Sequence, residues 1–331
     1  MTVVATSSRR SILVAYAPIV ATAVVLALPP LWLGESRLWM GIVNGGLLFA
    51  GYAVAFNVIF GSTGQLFLCV GALAGIGGYT SVILADQVGV PGVAAVVTAT
   101  LFSCLLGGAF SWVAVRRRLD VIFTGIVTLA FSLAFSNFVL GRRNLTGGET
   151  GLVVSTGSET LLRDRLSAYY VFLTMVVAFL IVYRLLQRSH IGWAFRALRD
   201  DEVAAGLAGV DVGRYRVLAG LIGSAMLGFA GSLYAFYEGF IGPTTYDFGS
   251  VDIRVIVMLA FGGIGTLLGP VVGAVSFRLL DEVLVEFGQL REVVYGILIL
   301  VLFIGFRRGV IPPIRNSSLR MLRRARQSGG D

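Results

Sequence analysis

The chain contains repeated apolar stretches, each long enough to cross a lipid bilayer. A hydrocarbon core about 30 Å thick needs about 20 apolar residues per helix. Stretches of this kind occupy residues 12–33, 39–60, 66–85, 92–115, 121–140, 168–186, 217–238, 251–267, 269–287 and 291–306. Charged residues make up only 13% of the chain, against about 25% in a soluble domain. We therefore predict an all-α polytopic membrane protein with about ten transmembrane helices.

Glycine and proline interrupt the last part of this predicted bundle. The interrupting residues are Gly262, Gly263, Gly265, Gly269 and Pro270. A break at membrane depth is tolerated only where protein or a water-filled cavity satisfies the freed backbone groups. We expect the stretch 251–287 to be bent, short or re-entrant.

A second glycine-rich stretch lies in the third predicted span. Gly71, Gly75 and Gly78 fall on one face of a helix. Small residues let helix backbones approach closely in lipid, where no hydrophobic force drives helices together. This face is expected either to pack closely on a neighbouring helix or to line a narrow path.

The arginines set the orientation of the bundle. All 26 basic residues are arginine, and most fall in 1–11, 116–118, the loop 187–215 with its flanks, and the tail 307–331. Ten spans place these segments on one side, which the preference of basic loops for the cytoplasm identifies as the inside. We predict a cytoplasmic N-terminus (1–11), a transmembrane domain (12–306) and a basic cytoplasmic tail (307–331), with 141–167 as the main external loop.

The N-terminal segment superficially matches an export signal. Arg9 and Arg10 precede an apolar run, as in twin-arginine signals. That run is as long as a full span and lacks a small-residue cleavage site. An uncleaved first helix is the expected outcome.

Several chemistries find no support in the residue inventory. Without lysine the chain has neither a phosphate-binding P-loop nor a Schiff-base nucleophile. Cys69 and Cys104 lie inside apolar runs, and His190 is the single histidine. We predict no metal site, no bound cofactor and no enzymatic activity. The arginines flank apolar runs and do not form a basic face, so nucleic acid is not an expected partner.

Acidic residues that could hold a coupling ion are scarce within the predicted spans. The ionisable residues Glu238, Asp252, Arg254, Arg278, Asp281 and Glu282 are all predicted to fall near span ends. Arg278 precedes Asp281 and Glu282 at i,i+3 and i,i+4 spacing, which favours mutual pairing. Energy for uphill transport is therefore expected to come from another protein. The cytoplasmic loop, with Ala204, Ala205 and Ala208 as a small-residue surface, is suited to fit a partner's groove.

This loop resembles that of a known transporter family. The run Arg199–Ala205 (RDDEVAA), followed by Gly209, is similar to the EAA-type coupling loop of ABC importer permeases, in particular the LivM-type branched-chain amino acid permeases. Further blocks that resemble this family are GSTGQL (61–66), GIGGYT (75–80), NLTGGETGL (144–152), residues 214–243 and GGIGTLLGPVVGA (262–274). These blocks follow one another in order across residues 50–280.

The resemblance implies an ABC importer permease fold and a subunit of an inner-membrane assembly. That assembly would contain a second permease subunit, two cytoplasmic ATPases that use ATP, and an external solute-binding protein, all around a lipid-embedded core. The residues implied in ATPase coupling are Arg199, Asp201, Glu202, Ala204, Ala205 and Gly209. The implied cargo is a branched-chain amino acid. The bulky Phe67 and Cys69 depart from the family's small polar run and extend the expected cargo to urea, short amides and other amino acids.

Two further sets of candidate residues follow. Thr63, Gln65, Tyr79 and Thr80 bring hydrogen-bonding groups into apolar spans and are candidates for the translocation path. A helix cap made by Ser62 or Thr63 is the structural alternative. Arg142, Arg143 and Arg163 are candidates for contacting acidic residues of the binding protein; the alternative is ordinary solvated loop charge.

Two other function classes remain as alternatives. A stand-alone ion-coupled secondary transporter would work without ATP, and inverted repeats with matching broken helices would support it. The glycine-rich interruptions near 61–78 and 262–273 are compatible with such symmetry. A membrane-embedded enzyme would need a cluster of acid, base or metal-ligand residues at one depth, and the sequence offers none.

Overall fold

A computed structural model describes residues 16–33, 36–154, 162, 164–285, 293, 294 and 297, and this part of the chain is mainly helical. The helices are α1 (Tyr16–Ala27), α2 (Pro29–Leu33), α3 (Arg37–Phe56), α4 (Val70–Asp86), α5 (Gly92–Arg116), α6 (Val121–Gly141), α7 (Arg143–Thr146), α8 (Arg165–Arg188), α9 (His190–Asp200), α10 (Glu202–Leu207), α11 (Val212–Glu238), α12 (Ile253–Gly262) and α13 (Gly269–Val285).

Within the described residues, five helices are long and apolar enough to cross a membrane: α3 with the π-helical turn Asn57–Gly61 that continues it, α5, α6, α8 and α11. The predicted N-terminus 1–11, tail 307–331 and tenth span 291–306 lie outside the described residues, apart from helical positions at 293, 294 and 297. The structure is therefore a polytopic helical membrane protein.

Aspartates begin several of the helices. Asp120 accepts a hydrogen bond from Phe123 N (2.8 Å), and Asp211 accepts one from Arg214 N (3.0 Å). Asp164 accepts from Ser167 N (3.2 Å) at the start of α8. A side-chain oxygen at the N-cap satisfies an amide that has no partner inside the helix. Local sequence thus sets where α6, α8 and α11 begin.

Helices α3, α4 and α11 form the centre of the bundle, and α5 and α6 lie at its edge. Large apolar side chains such as Leu105 and Ile122 are 66% and 68% exposed. A water-soluble protein rarely leaves so many such groups uncovered. The outer faces of α5 and α6 are therefore surfaces for lipid or for another membrane subunit.

Glycines allow the close crossing of α4 and α11. A methyl group built on Gly77 would lie 2.1 Å from the carbonyl oxygen of Gly228, and one on Gly231 would lie 2.0 Å from that of Ala74. Gly75 likewise leaves room for the ring of Phe135 and the side chain of Tyr246. A methyl group on Gly71 or Gly78 would also meet Tyr246, so the predicted face of Gly71, Gly75 and Gly78 is a packing face.

The first half of the α4 crossing is not helical. Residues 64–69, which follow the last helical residue Thr63, run in an irregular conformation to the start of α4. The amide of Leu68 donates to Thr128 Oγ1 (2.9 Å), and the amides of Val70 and Gly71 donate to the carboxylate of Asp252. Side chains of other helices therefore satisfy the backbone groups that a continuous helix would have satisfied itself.

The segment after α11 re-enters the protein beside α4. A two-residue antiparallel pairing of β1 (Leu152–Val153) with β2 (Phe240–Ile241) marks the point where it turns. Tyr79 Oη then donates to Gly242 O (3.0 Å), and Tyr246 Oη donates to Gly231 O (2.9 Å). The π-helical turn Phe248–Asp252 and α12 complete the crossing. At ten residues, α12 rises only about 15 Å, so the expected short, interrupted structure is present.

This re-entry buries Asp252. The sequence predicts Asp252 near the end of the span 251–267, and in the structure it directly precedes α12. Its carboxylate is fully buried against the N-terminus of α4, which hydropathy does not predict. Residues 242–250 are glycine-, proline- and threonine-rich, so hydropathy alone does not identify them as buried.

Replacing Gly77 with alanine is expected to lower the stability of the bundle, because the new methyl group meets backbone and not a movable side chain. Overpacking of this kind costs about 1–3 kcal/mol. The matched control is Gly92→Ala at the start of α5, where a methyl group meets no atom within 4 Å. Thermal unfolding of both variants in detergent measures the difference; equal melting temperatures would contradict the close crossing.

Candidate functional site

Helices α9 and α10 form a bent pair, here called the elbow, on the side of the bundle where α3 and α8 end. The face of α9 that carries Ala194, Phe195 and Leu198 is buried. The ring of Phe195 packs edge-on against Tyr215 of α11, with 6.3 Å between ring centroids. The elbow is therefore packed on the transmembrane helices.

Arg199 ties the elbow to two breaks in the membrane helices. Its Nη1 donates to Gly61 O (3.1 Å) at the end of α3. A methyl group on Gly265, in the loop between α12 and α13, would lie 1.8 Å from the same nitrogen. Asn57 joins these two breaks directly, because its Oδ1 accepts from Gly265 N (2.8 Å) and its Nδ2 donates to Thr266 O (2.9 Å). These contacts connect α9 to the end of α3 and to the α12–α13 loop.

Glu202 ties the second elbow helix to α11. Both of its carboxylate oxygens accept from the guanidinium of Arg216, at 2.9 and 2.8 Å. The carboxylate of Asp201 caps α10 by accepting from the amides of Val203 and Ala204. A bidentate arginine–carboxylate pair fixes orientation as well as distance. The elbow is held at both of its helices.

The other predicted coupling residues divide between the two faces of α10. Ala204 is exposed and Ala205 is buried. Gly209 follows the helix with φ +85° and no atom within 4 Å of a built methyl group. Gly209 is therefore required for its backbone conformation and not for close packing.

Three exposed apolar side chains on the elbow escape sequence reasoning. Trp193, Val203 and Leu207 are 69%, 72% and 87% exposed. In the sequence, an isolated apolar residue in a charged stretch cannot be distinguished from a buried one. The fold is needed to show that these three side chains are exposed. Together they give the elbow an apolar outer surface.

The predicted path residues lie in or near the irregular segment before α4, where their side chains are hydrogen-bonded within the protein. Gln65 Oε1 accepts from Ser111 Oγ (2.9 Å), and Thr63 Oγ1 donates to Ile59 O (2.8 Å). Tyr79 is almost fully buried and bonded to the re-entrant segment, and Thr80 is half-buried on α4. Thr63, Gln65, Tyr79 and Thr80 do not line either of the two cavities described next.

A cavity of about 770 Å³, here called the arginine vestibule, opens on the side opposite the elbow. Its charged lining residues are Arg37, Arg165, Arg254, Arg278 and Glu238. The wall is built by the buried Asn44, whose Nδ2 donates to Arg165 O and to Tyr237 Oη, both at 3.1 Å. Arg165 in turn donates from Nη1 to Arg37 O (2.9 Å).

Arg278 enters the vestibule from α13 through space that α3 leaves open. A methyl group on Gly45 would lie 3.3 Å from its Nε and Nη2. The expected pairing is present, with Nη1 at 3.1 Å from Asp281 Oδ2. Arg278 lies in the interior of α13, as does Asp281, so the prediction that both sit near a span end is wrong. The apolar run that flanks them on both sides belongs to one helix.

A second cavity of about 540 Å³ lies between α8 and the elbow. Its charged lining residues are Arg184, Arg188, Arg196, Arg199 and Asp200. The guanidinium of Arg196 stacks on the ring of Trp193, with 4.4 Å to the ring centroid. Arginines and the largely exposed Trp193 of the elbow thus line this cavity.

The predicted docking arginines lie on the same side as the arginine vestibule. Arg143 pairs with Glu149 at 3.5 Å, and both side chains are about three-quarters exposed (73% and 74%). Arg142 is also exposed, and Arg163 lies outside the described residues. An ion pair this exposed adds little stability, so Arg143 can exchange its partner at small cost.

In the described part of the chain, no three His, Cys, Asp or Glu residues are grouped so that they could hold a metal ion.

Comparison with known proteins identifies the family. Residues 38–305 match the family model described as the permease component of branched-chain amino acid transport systems. The chain is 27% identical over 306 residues to the high-affinity branched-chain amino acid transport system permease protein LivM of Salmonella typhimurium, covering 85% of this chain and 71% of the relative. It is 25% identical over 283 residues to BraD of Pseudomonas aeruginosa, a permease protein of the same description (79% and 92%).

A shorter match extends to another kind of import system. The chain is 35% identical over 109 residues to the autoinducer 2 import system permease protein LsrC of Klebsiella pneumoniae, covering 31% of each chain. No solved structure matches the chain. The match over residues 38–305 takes in the interlocked helices α3 to α13, the elbow and the arginine vestibule, and by it the chain belongs to the family of branched-chain amino acid transport permease components.

Proposed function

We propose that the chain is the permease subunit of an ATP-driven importer that moves branched-chain amino acids, or a related small polar solute, across the inner membrane. A second permease, two cytoplasmic ATPases and an external solute-binding protein complete the assembly. The observation that carries the proposal is the elbow, which is exposed on one face. Arg199 ties it to the end of α3 and to the α12–α13 loop, and Glu202 ties it to α11. A secondary transporter that works without an ATPase does not require such a connection between an exposed helix pair and its membrane helices.

The distribution of charge supports the proposed orientation. The elbow side carries Arg116, Arg117 and Arg118 at the end of α5 as well as the arginines of the second cavity. An excess of arginine marks the cytoplasmic side. The elbow then faces the ATPases, and the arginine vestibule and loop 141–154 face the binding protein. With ten spans, both termini lie in the cytoplasm.

The coupling mechanism follows from these contacts. The apolar surface of Trp193, Val203 and Leu207 fits a groove of an ATPase, which moves when ATP closes the ATPase pair. Arg199 and Asn57 pass this movement to the ends of α3 and α12, and Glu202 passes it to α11. The chain supplies no nucleotide site in this scheme; ATP is used by its partners. Arg199, Asp201, Glu202, Ala204, Ala205 and Gly209 remain the proposed coupling set.

The role of Thr63, Gln65, Tyr79 and Thr80 in translocation stays a prediction. Thr63 and Gln65 are hydrogen-bonded to each other, and Gln65 also to Ser111, inside the protein. A route that includes them requires the irregular segment 64–69 to open.

Reconstitution tests the proposed function directly. We expect proteoliposomes with the complete importer, binding protein and ATP to accumulate [14C]leucine, and proteoliposomes with this chain alone to accumulate none under a proton or sodium gradient. Uptake is measured by filtration. Gradient-driven accumulation by the chain alone would overturn the proposal in favour of a secondary transporter.

Exchanging the two charges that tie α10 to α11 tests the coupling role. Glu202→Arg alone places two like charges together and is expected to reduce uptake by about ten-fold or more, since a lost bidentate pair costs about 1.5–3 kcal/mol. Arg216→Glu alone should do the same. The double exchange restores opposite charges and should recover part of the uptake. ATP hydrolysis, measured in parallel, should persist in each single variant; no recovery in the double exchange would contradict the assigned tie.

Charge on the external loop should matter most at low salt. Replacing Arg142 and Arg143 with alanine is expected to weaken stimulation by the binding protein more at about 0.01 M salt, where the Debye length is about 30 Å, than at about 1 M, where it is about 3 Å. The stimulated ATPase rate as a function of binding-protein concentration measures this difference. A defect of equal size at both salt concentrations would argue against attraction between charges.

A further inference from the structure

We propose that the arginine vestibule binds the carboxylate group of the transported solute on the external side of the permease. This inference rests on the proposed function, since it assigns a solute site within the proposed importer. It adds a recognition site in the permease itself, formed by helices α3, α8, α12 and α13 and the end of α11.

The first argument is the charge of the lining. Four guanidinium groups and one carboxylate, that of Glu238, belong to the described residues that line the cavity. Asp281 offsets part of the charge of Arg278 from a buried position behind it. A cleft of one sign with low-dielectric walls concentrates ions of the opposite sign. Ionisable groups at membrane depth are costly and usually mark a solute pathway.

The second argument is the state of two atoms in the wall. Arg278 Nε and Asn44 Oδ1 are buried and have no hydrogen-bond partner among the described residues. An unsatisfied buried polar atom is uncommon and calls for an explanation. Both atoms belong to residues that line the vestibule, so its wall holds an unpaired donor on an arginine as well as an unpaired acceptor.

The third argument is the geometry of the guanidinium. Arg278 uses Nη1 for Asp281, while its Nε and Nη2 edge lies against Gly45 of α3. Glycine at this position leaves the planar group room at the cavity wall. A guanidinium binds a carboxylate through two parallel hydrogen bonds, which gives direction as well as charge. The vestibule therefore favours carboxylates over spherical anions.

Three probes with one carbon skeleton separate the chemical groups. Leucine carries both charges, isovalerate carries only the carboxylate, and isoamylamine carries only the ammonium group. Saturation-transfer NMR on the full chain in phosphatidylcholine nanodiscs detects weak binding of each. We expect leucine and isovalerate to compete with one another for the vestibule. Isoamylamine should neither bind there nor displace either of them. Binding of isoamylamine equal to that of isovalerate would overturn the proposal.

Alanine substitutions at two neighbouring glycines test the position of the Arg278 guanidinium without removing any charge. Gly45→Ala presses on the guanidinium of Arg278, whereas on Gly46 the methyl group would lie 3.7 Å from Arg278 Cγ, an ordinary contact. We expect Gly45→Ala to weaken isovalerate binding several-fold and Gly46→Ala to leave it unchanged. Both changes favour the helix, so neither should prevent folding. Equal binding by the two variants would contradict the role of Arg278.

A charge test uses Arg254→Gln, with Arg117→Gln on the elbow side as its control. Losing one charge-assisted hydrogen bond should raise the Kd of isovalerate about ten-fold, and the control should not change it. The same variants in the complete importer separate the two proposals. Leucine uptake by the wild type with no change in Arg254→Gln or Gly45→Ala would overturn the vestibule alone. Absence of ATP-driven uptake in the wild type would overturn the proposed function.

Discussion

The structure depends on the requirement that backbone polar groups inside a membrane find partners within the protein. Two crossings are not continuous α-helix, one at residues 64–69 and one at 242–252, so their backbone groups need partners from elsewhere in the protein. They lie side by side, and Asp252 from one accepts the amides that begin α4 in the other. Each irregular half is thus completed by its neighbour. The rest of the bundle surrounds this pair and excludes lipid from it.

Close packing gives the broken crossings their surroundings. Gly77 and Gly231 bring α4 and α11 to backbone contact, so α11 can supply the carbonyl that Tyr246 binds. The same helix carries Arg216, which holds the elbow. Contacts therefore run without interruption from the elbow through α11 to the centre of the bundle. Packed interfaces of this kind tend to switch between arrangements and do not deform continuously, as alternating access requires.

The buried carboxylate and the arginines of the two cavities have different roles in the molecule. Asp252 is fully buried and bonded to helix amides, which makes it a structural group and leaves the proposed importer without an obvious ion site there. The arginines of the vestibule and of the elbow-side cavity line open space at opposite ends of α3 and α8. The two cavities, at opposite ends of these helices, therefore both carry an excess of positive charge. A solute with a carboxylate would meet favourable charge on entering and on leaving.

The sequence by itself determined the class of the protein, because apolar runs of membrane length have few alternatives to transmembrane helices. The helix starts after Asp120, Asp164 and Asp211 are also set locally, because each cap is a side chain next to the helix, although the predicted spans begin at 121, 168 and 217. The sequence could not place the segment 242–250, whose composition is that of a loop, nor show that Gln65 and Thr63 face packed helices. Asn57, Arg199 and Gly265 are far apart in the chain and acquire meaning only where three elements meet. The vestibule likewise collects arginines from four helices. Such convergence depends on how helices pack, and in lipid that packing is decided by shape and hydrogen bonding, to which hydropathy is blind.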